Sequence, residues 1–294
     1  MERHDPLPPE QGAFRSASRR DCRLTPEALR GPGRIHSVYR SSVNIILENG
    51  CFCTLLSPVE DDGPGGILLR DPADFTRPDL ALEPGRPVMA KRGRLTLGRL
   101  RVDASAAETF SGRLVPPASP AAPEAVERGL LRLERLLAET APPTWGPDLT
   151  EALESRAAAL RAVLPDPSRP AEPAVERLVG LGMGLTPSGD DLLTGCLAAL
   201  LYGGGGRSLP AKRLREAMEK FPDRTAFVSG QMLRFAAQGR FRGKLRNFAA
   251  ALFSQGDPAP SFRALLDIGA SSGWDMARGA LEACRILLEA KINE

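Results

Sequence analysis

The chain has 294 residues and a formal net charge of +3, from 39 basic and 36 acidic side chains without a long block of either sign. This balance argues against binding of nucleic acid or an anionic membrane. The five cysteines are an odd number with no C-x-x-C spacing, which argues against a disulfide framework or a structural zinc site, and no apolar run reaches membrane-spanning length. We therefore expect a cytoplasmic protein, long enough for two domains.

The first third of the chain is predicted to be rich in β-strands. Residues 1–33 are polar and proline-bearing, which predicts a weakly ordered lead-in. From residue 34 to residue 115, short runs of alternating apolar residues are separated by glycine and proline, and this pattern predicts a small β-rich domain, a barrel or a sandwich. Asn49-Gly50 predicts a two-residue hairpin turn, because both turn positions favour residues that accept a positive φ.

The rest of the chain is predicted to be helical. Residues 116–123, "PPASPAAP", predict an extended linker. Apolar residues then recur at helical spacing through residues 124–294, including one helix predicted over residues 222–239. The predicted fold class is therefore α+β, with an amino-terminal small β-rich barrel or sandwich domain followed by an all-α domain.

A glycine-rich loop precedes one of these helices in "GLGMGLTPSGDDLLTG", residues 180–195. The helix has two possible starts: Thr186 as N-cap with Pro187 in the first turn, or Ser188 in a capping box with Asp191. Either start leaves backbone amides free, and such a helix start favours an anionic ligand. The loop lacks the Gly-Lys-Ser/Thr ending of a phosphate-binding P-loop, so its glycines alone do not indicate a nucleotide site.

The adjacent aspartates at the start of this helix, Asp190 and Asp191, allow two interpretations. One carboxylate is explained by the positive end of the helix, which it stabilises by about 0.3 to 1 kcal/mol. Two adjacent carboxylates repel each other, so the second needs a cation such as Mg²⁺, an ammonium or amide donor, or a proton shared with its neighbour. The functional interpretation is favoured over capping alone.

The same pattern, Ser-Gly-x-Asp-x-x-x-Gly, recurs 84 residues later. Residues 188–195 are called the first motif and residues 272–279 the second motif. The shared positions predict two helices that cross at Gly195 and Gly279 and direct their amino termini into one cleft, although coincidence of ordinary capping residues is the alternative. The equivalent pairs are Ser188 and Ser272, Gly189 and Gly273, Asp191 and Asp275, and Gly195 and Gly279.

These patterns define the candidate site. Thr225 and Ser229 share a predicted helix face, for which core packing and substrate contact both remain open, and Arg234 is the nearby candidate for gripping an anion. The candidate catalytic residues are Asp190, Asp191 and Asp275, with Mg²⁺ as a possible cofactor on the first two. The candidate substrate-binding residues are Gly184, Thr186, Ser188, Gly189, Ser229, Arg234, Ser271, Ser272, Gly273, His36 and Asn44.

Several strings of the sequence together resemble the AllH-like family, over most of the chain from His36 to Leu288. The strings are "HSVYRSSVN", "GLGMGLTPSGDDLLTG", "AAQGRF" and "IGASSGWD". One departure is Ala270, where relatives are expected to carry a histidine or another polar residue, so no proton-transfer role is carried over to this position.

The resemblance implies a cytoplasmic subunit of an oxamate carbamoyltransferase of allantoin breakdown, acting beside companion subunits. Its implied reaction exchanges a carbamoyl group between carbamoyl phosphate and oxamate, with oxalurate as the other partner, so the implied ligands are small anions. Two alternatives remain open: an Mg²⁺-dependent nucleotide-binding or phosphoryl-transfer enzyme, and a non-catalytic assembly subunit.

Overall fold

The computed structural model describes residues 13–144, 146–206 and 208–292, and the chain divides into two units after Gly112. All of the strands in the described residues belong to the first unit, and all of the α-helices belong to the second. The predicted α+β class is therefore confirmed.

The first unit is a closed barrel. Eight strands pair in the order β5-β4-β3-β2-β6-β7-β8-β1, and β1 pairs with β5 to close the sheet, while β9 extends the sheet beside the end of β1. Closure removes the free strand edges of an open sheet. The strands are β1 Ala13–Asp21, β2 Gly31–Val38, β3 Ser42–Leu47, β4 Phe52–Leu56, β5 Gly66–Leu69, β6 Pro87–Lys91, β7 Arg94–Leu97, β8 Leu100–Asp103 and β9 Glu108–Phe110.

The barrel core follows from strand alternation. Along β3, Val43, Ile45 and Leu47 are fully buried, because alternate side chains of a strand point to the same face. They pack with apolar residues of the neighbouring strands in one cluster that draws only on this unit. Between them, Asn44 is also buried and lies on the other face of the strand.

The predicted weakly ordered lead-in was wrong for residues 13–33. Residues 13–21 form β1, which pairs with β5 on one side and with β8 and β9 on the other. The segment contains many arginines, but Ala17, Leu24 and Leu29 are buried, so its few apolar residues are enough to join the barrel core. The remainder of the predicted lead-in, residues 1–12, lies outside the described residues.

The hairpin at Asn49-Gly50 is confirmed, but its turn differs from the prediction. Residues 48–51 connect β3 to β4, and only Gly50 has a positive φ, of 81°. The Asn49 side chain instead accepts a hydrogen bond from the Cys51 amide. The two-residue turn with positive φ at both positions occurs at Arg92-Gly93, between β6 and β7.

The second unit packs its helices around a separate core. Nearly every side chain of α4 is buried, so this apolar helix lies at the centre of the unit. The most extensive contact between any two described elements joins α4 to α9. The helices are α1 Pro123–Ala138, α2 Pro147–Val163, α3 Glu172–Leu178, α4 Ser188–Gly203, α5 Leu209–Met218, α6 Phe227–Ala237, α7 Gly243–Leu252, α8 Ala259–Leu266 and α9 Ser272–Ile292.

The structure of this unit differs from two local predictions. The helix predicted over residues 222–239 is a short 3-10 turn, Pro222–Arg224, followed by α6, so Thr225 precedes the helix that carries Ser229. The predicted linker is held by the helical unit, since the Ala121 amide donates to the Gly203 carbonyl. Within the described residues, no helix has the length and hydropathy needed to span a membrane.

Candidate functional site

The two motifs lie at the starts of α4 and α9, and these helices contact each other at the predicted glycines. A Cβ atom at Gly195 would lie 2.0 Å from the Met276 carbonyl oxygen, and a Cβ at Gly279 would lie 2.0 Å from the Leu192 carbonyl oxygen. Leu192 and Met276 occupy equivalent positions of the two motifs, so the contacts are reciprocal. Glycine is needed at both positions because any side chain would push the helix backbones apart.

The structural repeat extends into the helix that precedes each motif. A Cβ at Gly189 would lie 2.0 Å from the Leu178 carbonyl oxygen at the end of α3, and a Cβ at Gly273 would lie 2.0 Å from the Leu265 carbonyl oxygen near the end of α8. The Gly189 amide donates to the carbonyl of Leu181, three residues after Leu178. The Gly273 amide donates to the carbonyl of Ile268, three residues after Leu265. Each half of the repeat is therefore a short helix, a turn and a long helix.

Across the two halves, each motif serine lies beside the aspartate of the other motif. The hydroxyl of Ser272 faces Asp191, and the hydroxyl of Ser188 faces Asp275. These two carboxyl groups, Asp191 and Asp275, are called the acid pair. Their solvent-exposed fractions are 4% and 0%. The predicted meeting of the two motifs is thereby observed, with the carboxyl groups buried beneath the hydroxyls.

The acid pair has acceptors that the described residues leave unsatisfied. Asp191 Oδ2 and both carboxyl oxygens of Asp275 are buried without a partner in hydrogen-bonding geometry among the described residues, although the serine hydroxyls face them. The nearest hydroxyls are partly used by each other, since Thr186 Oγ1 and Ser272 Oγ lie 2.9 Å apart. Buried acceptors without donors are costly, so this cluster calls for a structural or functional explanation.

Burial raises the pKa of both carboxyl groups of the acid pair. It raises the pKa of Asp275 to about 7, against the lowering effect of the Ser188 hydroxyl and the Arg278 guanidinium. It also raises the pKa of Asp191 well above the ordinary value, and the charge of Asp275 adds to that rise. A carboxyl group that titrates near neutral pH can both donate and accept a proton in a reaction.

Asp190 has a different environment, although it is adjacent to Asp191. Its Oδ1 accepts a hydrogen bond from the Gly180 amide at 2.9 Å, and its Oδ2 accepts hydrogen bonds from the hydroxyls of Thr225 and Ser229. Burial raises its pKa, while these three donors lower it. Asp190 therefore joins α4 to the glycine loop and to α6, and the geometry indicates a structural role for it and for Ser229.

The predicted side-chain caps of α4 are not observed, and several of the amides predicted to be free at the two helix starts are hydrogen-bonded. Pro187 is the N-cap of α4, and neither Thr186 nor Ser188 makes a side-chain cap. Five amides at the two helix starts instead donate to backbone carbonyls, because the turn before each helix folds back onto it, so the prediction of free amides is corrected at these five positions. The amide of Gly189 donates to the carbonyl of Leu181, and the amides of Asp190 and Asp191 both donate to that of Pro187. In the second half, the amide of Gly273 donates to the carbonyl of Ile268, and that of Asp275 to the carbonyl of Ser271.

The equivalent positions at which the two halves differ include two that carry a polar residue in the first half and an apolar residue in the second. Thr186 in the first half corresponds to Ala270 in the second, and Asp190 corresponds to Trp274. The first half is also longer, because its turn carries additional residues that include the exposed Met183 between Gly182 and Gly184, both with positive φ. The arrangement is therefore an approximate repeat with chemically distinct sides.

The other predicted site residues have different surroundings. Arg234 Nη2 donates to Asp223 at 2.6 Å in an exposed ion pair, so its guanidinium is used by a neighbouring carboxylate. Gly184 is exposed on the glycine loop, and Ser271 is half-buried beside Asp275. Arg278 lies beside Asp275 but was not predicted, although its spacing of three residues on one helix would have indicated it.

The described residues contain no group of three or more His, Cys, Asp or Glu side chains arranged to hold a metal ion. Three protein donors already occupy the oxygens of Asp190. The residues therefore do not fit Mg²⁺ bound jointly by Asp190 and Asp191, and the structure gives the Mg²⁺-dependent phosphoryl-transfer alternative no ligand set.

His36 and Asn44, in the barrel unit, share the Ser37 hydroxyl as a hydrogen-bonding partner. His36 lies at an irregularity in the β2–β3 register, and its Nδ1 is 3.1 Å from the Ser37 hydroxyl. Asn44 Nδ2 donates to the same hydroxyl at 2.9 Å, and Asn44 Oδ1 accepts from Thr54 at 2.7 Å. The two predicted residues thus belong to one hydrogen-bonded row across β2, β3 and β4.

Comparison with known families matches both units of the chain. The model of the AllH family N-terminal domain matches residues 16–109, which span β1 to β9, and the model of the oxamate carbamoyltransferase subunit AllH matches residues 178–284, which include both motifs. No solved structure matches the chain. The two family matches cover most of the chain, and the chain therefore belongs to the AllH family, an assignment that supports a role as a carbamoyltransferase subunit.

Proposed function

We propose that this chain is a subunit of a cytoplasmic oxamate carbamoyltransferase of allantoin catabolism, and that the acid pair is part of its active site. The substrates are carbamoyl phosphate and oxamate, and the enzyme includes companion subunits. One observation carries the proposed site: two buried carboxyl groups with unsatisfied oxygens meet where the family match includes both motifs. Unsatisfied buried polar groups are uncommon in folded proteins, and each calls for a structural or functional explanation.

The reaction requires a group that accepts a proton, and a carboxyl group of the acid pair can do this. The amide nitrogen of oxamate attacks the carbonyl carbon of carbamoyl phosphate, a C–N bond forms, the C–O bond to phosphate breaks, and the nitrogen loses a proton. A base must accept that proton, and a group that titrates near the working pH does so most effectively. Asp275, whose pKa burial raises to about 7, is the proposed base, and Asp191 is the proposed group that holds the amide in position.

The test is transfer activity after removal of each carboxyl group. We expect Asp275→Asn to lower kcat of the assembled enzyme about 100-fold or more, because a positioned base contributes on that scale. Asp191→Asn is expected to raise KM for oxamate. Asp148→Asn is the matched control, since Asp148 is an exposed first-turn aspartate of α2. Wild-type kcat and KM in both acid-pair variants would contradict the proposed site.

A second candidate function is a non-catalytic assembly subunit, and the near-complete burial of the acid pair favours it. In that case the motifs serve helix packing alone, as the close glycine contacts do. The same variants discriminate between the two functions. Full activity of a complex that carries Asp191→Asn and Asp275→Asn together would favour assembly, and loss of activity with intact assembly by size-exclusion chromatography would favour catalysis.

A further inference from the structure

We infer that the acid pair recognises the N–H groups of a primary amide, so that it binds the nitrogen end of the substrate and not its anionic end. The inference rests on the proposed function for the identity of the ligand, oxamate. It assigns a chemical group to the site: an uncharged NH2 that donates one hydrogen bond to each half of the repeat.

The unsatisfied atoms specify what a ligand must supply. Asp191 Oδ2, Asp275 Oδ1 and Asp275 Oδ2 are acceptors when ionised, and the described residues offer none of them a donor in hydrogen-bonding geometry. Both side chains are more than nine-tenths buried. A ligand that donates hydrogen bonds therefore removes a cost already present in the fold, whereas a ligand with only acceptors leaves that cost in place.

The surroundings argue against the other ligand classes. A metal ion needs further ligands, and the described residues contain no group of three candidate ligand side chains. An anion would meet the carboxylates, and five of the amides at the two helix starts that would attract it already donate to carbonyl oxygens. Donation of N–H to carboxylate is the remaining favourable pairing, and an amide provides it without bringing in a charge.

The reciprocal arrangement offers one carboxyl group to each N–H bond of an NH2 group. Each half of the repeat contributes one carboxyl group and one serine hydroxyl, with Ser272 beside Asp191 and Ser188 beside Asp275. A primary amide has two N–H bonds that diverge in one plane, one for each carboxyl group. The hydroxyl of Thr186, bonded to Ser272 and replaced by Ala270 in the other half, makes the sides unequal and so orients the rest of the ligand.

The experiment compares ligands that differ in the N–H groups they can donate. The purified full-length chain is titrated with oxamate, with N,N-dimethyloxamate and with methylammonium, and binding is followed by ligand-observed NMR. We expect oxamate to bind at least about tenfold more tightly than its dimethyl analogue, because the analogue retains the carboxylate but has no N–H. This comparison uses the wild-type protein, so it does not depend on the folding of a variant.

Variants then locate the interaction. Asp191→Asn and Asp275→Asn are each expected to weaken oxamate binding at least about tenfold, and the control Asp148→Asn is expected to bind like wild type. Equal affinity for oxamate and the dimethyl analogue would overturn the inference. Binding of methylammonium alone, or of none of the three ligands, would also overturn it.

The activity assay separates this inference from the proposed function. If Asp275→Asn abolishes carbamoyl transfer but the chain does not distinguish oxamate from its dimethyl analogue, the inference fails and the proposed function stands. If the chain selects N–H donors through the acid pair but the assembled enzyme transfers no carbamoyl group, the proposed function fails and the amide site stands.

Discussion

Asp190 and Asp191 are adjacent in the chain but have different environments, because α4 directs their side chains to different sides of the helix. Asp190 accepts three hydrogen bonds from groups that are distant along the chain or in the preceding loop. Its neighbour Asp191 points toward α9 and has an oxygen without a donor among the described residues. Two carboxyl groups of the same type thus divide into a satisfied structural group and an unsatisfied one.

The unsatisfied group predicts a pH dependence of stability. Burial raises the pKa of Asp275 from 3.8 to about 7, so the folded state binds this proton more tightly than the unfolded state. The free energy of unfolding is therefore expected to fall as pH rises from about 4 to about 7 and then to level off, with a loss of at most about 4 kcal/mol. Asp191, whose pKa is also raised, acts in the same direction.

Calorimetric melting of the wild type and of Asp275→Asn, from about pH 4 to pH 8, checks this prediction. The side-chain amide of the variant does not titrate, so the Tm of the variant is expected to depend less on pH than that of the wild type. Parallel Tm curves for the two proteins would show that Asp275 is not protonated in the folded state.

At the level of the elements, the contact of α4 with α9 brings the acid pair together. Gly195 and Gly279 permit a backbone approach that no other residue allows, and the backbone carbonyls they meet cannot rotate away as a side chain would. Gly189 and Gly273 in turn seat each long helix against the end of the short helix before it. The four glycines therefore position the carboxyl groups without touching them.

Substitution of Gly195 tests this dependence. We expect Gly195→Ala to destabilise the protein by about 3 kcal/mol or more, because the new methyl group would overlap the Met276 carbonyl and force the helices apart. This corresponds to a Tm lower by roughly 6 to 12 °C, measured by differential scanning calorimetry. Gly146→Ala is the control, since a Cβ there would have open space. Equal Tm values for the two variants would contradict the proposed close contact.

At the level of the whole molecule, each unit has its own hydrophobic core. The barrel cluster draws only on residues before 113, and the helical cluster only on residues after 113. The residues of both motifs, the preceding helices and the donors to Asp190 all lie in the second unit. The described unit that contains the acid pair thus has a complete core of its own.

A fragment of residues 113–294 tests whether this core is sufficient. We expect the fragment to fold, with a helical circular dichroism spectrum and one cooperative thermal transition, because its buried apolar residues are packed within the unit. The full-length chain measured under the same conditions is the reference. A fragment that lacks a cooperative transition would show that the helical unit depends on the barrel for stability.

Local sequence patterns were sufficient for much of this architecture. Strand alternation and the Asn49-Gly50 turn located a β-rich domain, helical periodicity located most of the helices, and the repeated Ser-Gly-x-Asp-x-x-x-Gly pattern located the crossing of α4 and α9. These features depend on residues close together in the chain, whose spacing and backbone preferences can be read directly. The misassigned segment, β1, contains few apolar residues and is held by strands distant in sequence.

The tertiary structure decided how the polar groups pair. Nothing in the sequence indicates that Thr225 and Ser229 bond to Asp190, or that each motif serine faces the aspartate of the other motif. Five of the amides predicted to be free at the helix starts likewise donate to carbonyls of the chain itself. Such pairings join residues far apart in the chain and arise only when packing brings two helices together, whereas the sequence by itself determined which residues make that packing possible.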